Sequence, residues 1–130
     1  MTPIAVEQID AVLPFLDRFE APGFSAGSWK TPDGLFPSFE FAEIVGEFQS
    51  VLYDHGWVTP AFNWMKWQEN AREFENDPEK VGRADATTIQ KLFTTHVRAD
   101  RFCEGHLVAM FENGHILSLL RRLKVIRSEM

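Results

Sequence analysis

The chemistry this chain can offer is concentrated in one stretch, His96-Val97-Arg98-Ala99-Asp100-Arg101-Phe102-Cys103-Glu104-Gly105-His106, which holds two histidines, the only cysteine, two arginines and two acids. His96, Cys103 and His106 are all possible zinc ligands. On an unbroken helix, steps of seven and three place them within about 80° of one another, and His115 or Asp100 could complete a set of four. The spacing argues against it: structural zinc sites come as closely spaced pairs, and a break in the helix at Asp100 would scatter the three residues. The expectation is therefore no metal and no cofactor, with His96 and His106 as half-buried helix residues and Cys103 as a small core hydrophobe.

A second chemistry is catalysis or anion binding. Arg98 and Arg101 can clamp a carboxylate or phosphate, with Asp100 or Glu104 as base and His106 as proton carrier. The same residue types also make ordinary ion pairs and caps at a helix junction, Arg101 reaching Glu104 one turn on, and this structural reading is the expected one. If the cluster is a buried lock, Arg101→Ala and Glu104→Ala should each lower stability, because removing one partner strands the other. Gly105, read as lying within a helix, implies a neighbour packed close against its backbone.

A third chemistry is nucleic-acid recognition. Phe102 to Asn113, a turn at Gly114 and Leu117 to Arg127 can be read as a helix-turn-helix presenting Ser118, Arg121 and Arg122. The net charge of −6 and pI near 5.2 argue against a protein that binds a polyanion. The charge is also unevenly placed: residues 1–60 hold nine acids and two bases, residues 96–130 four acids and six bases. An acidic face that docks a basic partner is one reading, and a plain solvated surface the other.

Positioning these residues falls to a mainly helical chain. Its 130 residues suit one domain, 1–130, able to bury roughly two-thirds of the surface the unfolded chain exposes. One cysteine, a start without a basic region and the lack of a long apolar run point to a cytoplasmic protein with no membrane partner. Val6, Ile9, Leu13, Leu16 and Phe19 line a first helix that Pro14 must kink or restart. Ala21 to Pro37, with Pro22, Gly23, Gly27, Pro32 and Gly34, reads as a loop anchored by Phe24, Trp29 and Phe36. A second helix is expected from a Ser38 cap through Phe41, Val45, Phe48 and Leu52 to Gly56. Asn63 or Thr59 caps a third, with Trp64, Trp67, Ala71 and Phe74, and Asp77-Pro78 closes it. The fourth begins near Asp85 or Thr87, the latter in a capping box with Gln90, and buries Ile89, Leu92, Phe93 and His96. Asp100 caps the next helix, Asn113-Gly114 ends it, and Ile116, Leu119, Leu120 and Leu123 face inward on the last. No period-two strand is expected. The fold class is all-α, a compact bundle of about five or six helices.

Phe19-Glu20, Pro22-Gly23-Phe24, Trp57, Asn63-Trp64-Met65-Lys66-Trp67 and Leu119 to Lys124 accompany the Arg-x-Asp-Arg-Phe-x-Glu-Gly segment at 98–105. Together they resemble a family of small bacterial and phage-associated proteins known only as a domain of unknown function. The resemblance implies one helical domain and, loosely, a phage or plasmid conflict setting. It implies no activity.

The remaining signal is aromatic. Phe36, Phe39, Phe41, Phe48, Tyr53, Trp57, Phe62, Trp64, Trp67 and Phe74 crowd one third of the chain. Most must fill the core, while Trp29, Trp57 and Trp67 are candidates to line a binding groove. The function expected from the residues is a non-catalytic protein-binding or regulatory module with an acidic, aromatic-rich surface. The alternatives are a small enzyme or metal-dependent protein centred on 96–106, and a helix-turn-helix regulator. A binder should show an exposed apolar patch, and an enzyme a pocket where Arg98, Asp100, Arg101, Glu104 and His106 converge.

Overall fold

Apolar residues at three- and four-residue steps fold most of the chain into helices, as the computed structural model of residues 3–31, 34 and 36–130 describes. Pro14 splits the first helix into α1 (Val6–Val12) and α2 (Pro14–Glu20), since a proline at the first helical position needs no amide partner. Later come α3 (Glu43–Asp54), α4 (Trp64–Glu75), the single turn α5 (Pro78–Val81), α6 (Ala86–Asp100), α7 (His106–Glu112) and α8 (His115–Ser128). Asn63 caps α4, its Oδ1 accepting from Lys66 N, and Asp85 caps α6 by accepting from Thr88 N. The Thr87–Gln90 capping box does not form: Gln90 instead donates to the Gly56 carbonyl. No helix among the described residues is long and apolar enough to cross a membrane.

The expected loop and the missing strands need correcting. Gly27–Lys30 (β1) and Ser38–Phe41 (β2) pair antiparallel, with Gly27 opposite Phe41 and Trp29 opposite Phe39. Ser38 therefore starts a strand, and α3 begins at Glu43, capped by the backbone of Ala42. Each strand has only four residues, too few for alternation to stand out among the breakers. Pro32, one of those breakers, and the Met1-Thr2 start lie outside the described residues. Trp29, Phe39 and Phe41 share a face, with ring centroids 5.4 and 5.0 Å apart, the cross-strand packing that holds a short hairpin. Only glycine fits at 27: φ is +146°, and a Cβ would meet the Glu40 carbonyl and Phe41 Cα of the facing strand.

The core lies between α8 and the rest. Ile116, Leu119, Leu120 and Leu123 are fully buried on one stripe of α8, which packs against α1, α2, α5, α6 and α7. Beside it Phe19 meets Phe48 and Phe111 edge to face, with centroids 5.0 and 5.1 Å apart, a favoured arrangement of aromatic quadrupoles. Trp57 is 0% exposed, which removes it from the groove candidates. Its indole Nε1 donates to the Gln8 carbonyl at 2.8 Å, tying the α3–α4 connection to α1.

The basic C-terminal residues are spent inside the domain. Arg121 donates twice to Glu20, Arg127 donates to Asp10, and Arg122 donates to the Ala84 carbonyl. These contacts use the side chains a recognition helix would present to a groove. They also account for part of the charge split, since the acidic N-terminal third and the basic C-terminal helix pair with each other.

Candidate functional site

The polar residues of the 96–106 stretch diverge. Helix α6 ends at Asp100, and residues 101–105 form a turn into α7. Asp100 Oδ1 accepts from Leu107 N at 3.0 Å and so caps α7 across the turn. Arg101 is exposed and donates to the Tyr53 hydroxyl at 3.2 Å, and Glu104 accepts from Phe39 N and docks the hairpin. Arg98 lines a separate groove with Phe62, Asn63 and Trp64. Among the described residues Arg98, Asp100, Arg101, Glu104 and His106 do not converge on one pocket, because the turn sends their side chains to different elements.

The lock at the junction is the Asp100 cap, while Arg101 and Glu104 are exposed rather than buried. Asp100→Ala should cost about 1 kcal/mol of stability, as loss of a cap does. Arg101→Ala should stay within about 0.5 kcal/mol of the parent in the same urea titrations, as surface substitutions do, while Glu104→Ala, which removes the acceptor of Phe39 N, should cost about 1 kcal/mol. Gly105 is in the turn, not a helix. Its φ is +98°, and a Cβ would lie 3.2 Å from the Trp29 ring, so the expected close neighbour is the hairpin.

The histidines converge where the arginines do not. His96, 0% exposed, faces inward from α6. Its Nδ1 lies 3.0 Å from His106 Nε2 at the start of α7, and its Nε2 lies 3.0 Å from His115 Nε2 at the start of α8. Glu75, at the end of α4, brings Oε1 to 4.0 Å from His96 Nδ1. A neutral imidazole has one N–H, so His96 donates toward one histidine and accepts from the other. Burial pushes His96 well below the usual histidine range, and the adjacent His115 and His106 push the same way. Burial first, then His106, lowers His115 to about 4. His96 and His115 are therefore uncharged and carry lone pairs near neutrality.

His106 and Glu75 open on a cleft of about 280 Å³ whose walls include Gln68, Arg72, Thr95, Phe102 and Cys103. Cys103 is an exposed thiol on the wall, not the core hydrophobe expected of it. Glu75 was invisible in the sequence reading of the 96–106 stretch. The signal available was position: Trp64, Gln68, Ala71 and Glu75 follow helical spacing, which puts a carboxylate on the stripe that packs inward.

A second surface surrounds the turn. Trp29 is 53% exposed and Phe102 77%. Trp29 stacks over Gly105 and against Phe39, while Phe102 meets Trp64 at 5.8 Å. Exposed Met65 follows Trp64. Trp67, by contrast, is half-buried between Phe62 and Phe74.

These features define a small, mainly helical domain with a short hairpin docked on an interhelical turn and a histidine–carboxylate cleft beside it. The chain belongs to the Family of unknown function (DUF6508), whose model matches residues 4–129. Neither the curated proteins nor the solved structures contain a match to it.

Proposed function

We propose that this protein is a protein-binding module that engages its partner through the aromatic face formed by the hairpin, the 101–105 turn and the start of α4. The observation that carries this reading is two aromatic pairs at the 101–105 turn, Trp29 with Phe39 and Phe102 with Trp64, with Trp29 and Phe102 more than half exposed. Large rings left in water at a surface are costly unless something covers them, and Trp is among the residues that dominate binding energy at interfaces. The face is held by backbone and side-chain contacts to the rest of the domain, so little ordering is required on binding.

The test is capture of partners by cross-linking in the native host, with the parent and with a Trp29→Ser, Phe102→Ser double variant. A partner recovered by the parent should bind the double variant at least about 30-fold more weakly, the loss of roughly 2 kcal/mol that marks a hot spot. The double variant should stay folded with a modestly lower melting temperature, because Trp29 also packs on Phe39 and over Gly105. Equal recovery by the two proteins, with both folded, would overturn the reading.

A further inference from the structure

Beyond any protein-binding role, and independent of it, we propose that Glu75, His96 and His106 form a site for one zinc-class divalent ion with its fourth coordination position open to the cleft. The three ligand atoms, Glu75 Oε1, His96 Nδ1 and His106 Nε2, lie within 4.8 Å of one another. Tetrahedral zinc with bonds of about 2.0–2.1 Å holds neighbouring ligand atoms about 3.4 Å apart. The observed separations of 3.0 Å between the two nitrogens and 4.0 Å between His96 and Glu75 straddle that value. Closing the site requires a side-chain adjustment that brings the Glu75 carboxylate nearer the two nitrogens.

The ligands come from three elements that packing already holds in register: the end of α4, the interior of α6 and the start of α7. Two neutral imidazoles and a carboxylate are a common zinc donor set, and three protein ligands with an open position is the arrangement of sites that exchange a ligand. Without an ion a single proton bridges His96 Nδ1 and His106 Nε2, and Glu75 at 4.0 Å is beyond hydrogen-bonding reach of His96, so the carboxylate gains a partner there only with a cation.

His115 supplies the orienting contact such a site needs. With His96 Nε2–H donated to His115 Nε2, the Nδ1 lone pair of His96 points to Glu75 and His106, and this second contact accommodates the metal-binding tautomer. The open position faces Gln68, Arg72 and Thr95 in the cleft. A bound water there, or a carboxylate drawn in beside Arg72, is the class of ligand that position takes.

Cys103 separates this site from the histidine–cysteine set that spacing alone suggests, since the thiol lies on the cleft wall outside the group of three. The experiment is titration of tag-free, EDTA-stripped full chain with zinc against a chromophoric chelator, repeated for Glu75→Gln and Cys103→Ser. Cobalt(II) substitution reads thiolate ligation directly. The expected result is one zinc per chain in the parent and in Cys103→Ser, and no thiolate charge-transfer band with cobalt. Glu75→Gln should bind at least about 100-fold more weakly, the upper end of what loss of even an outer-shell partner costs. Glu75 is at the cleft surface, and a melt in EDTA that matches the parent confirms that the variant is folded. If that variant does not fold, His106→Gln serves the same comparison. No zinc on the parent, undiminished binding by the folded ligand variant, or binding abolished by Cys103→Ser would each overturn the site.

Discussion

Trp57→Ala is expected to lower the free energy of unfolding by about 3–5 kcal/mol, the range for emptying a buried aromatic position. The ring is fully buried and lies edge-on to Phe93 with centroids 5.8 Å apart. Truncation opens a cavity where the α3–α4 connection crosses α6. It also leaves the Gln8 carbonyl without the indole donor at 2.8 Å. The neighbouring backbone adds to the effect, because the Trp57 carbonyl accepts from Thr94 Oγ1 and Thr59 N donates to the same hydroxyl. Trp57→Phe should retain most of the packing and lose mainly the hydrogen bond, a cost of about 1–3 kcal/mol if the carbonyl stays unpaired. Urea unfolding of the three proteins at pH 7.5 in EDTA checks the ordering. A Trp57→Ala protein as stable as the parent would mean that the tryptophan is not in the core.

The second large effect is on acid stability. His115 has a folded pKa of about 4 against an ordinary 6.5, and His96 is displaced in the same direction. A histidine whose folded pKa is depressed binds more protons unfolded than folded between those values. Stability from its neutral burial is complete above about pH 6.5 and is lost as pH falls toward the folded pKa. For His115 alone the span from 6.5 to about 4 corresponds to roughly 3 kcal/mol, and His96 adds to it. Metal-free protein should therefore lose several degrees of melting temperature between pH 6.5 and 4.5, where aspartate and glutamate still hold most of their charge. Thermal melts in EDTA at half-unit pH steps make the measurement. A flat profile across that window would mean that neither imidazole is buried neutral.

The two effects rest on features of different legibility. A tryptophan at position 57 can be read either as core or as groove, because a large ring serves both and nothing local distinguishes them. Its burial follows from α1 lying across the α3–α4 connection, where the Gln8 carbonyl waits for the indole. Trp29 was named on the same grounds and is exposed, because β1 is an edge strand of a two-stranded hairpin. His96 was placed on the buried stripe of α6 from its spacing with Ile89, Leu92 and Phe93, and it is buried there. Its partners were harder. In the sequence His115 is only one way to complete a metal site, and Glu75 lies on a stripe whose apolar members alone stand out. The catalytic grouping of Arg98, Asp100, Arg101 and Glu104 drew on sequence adjacency, which the turn at 101–105 undoes.

Periodicity, prolines and capping residues by themselves determine the helical class, the break at Pro14, the Asp100 cap and the inward stripe of α8, and narrow the caps of α4 and α6 to Asn63 or Thr59 and Asp85 or Thr87. These are local properties, set by side chains within a turn or two of the backbone they organise. The hairpin, the burial of Trp57 and the meeting of Glu75, His96, His106 and His115 were decided only by tertiary structure. Each depends on where separate elements cross, and a crossing is set by the packing of whole helix faces rather than by any short run of residues.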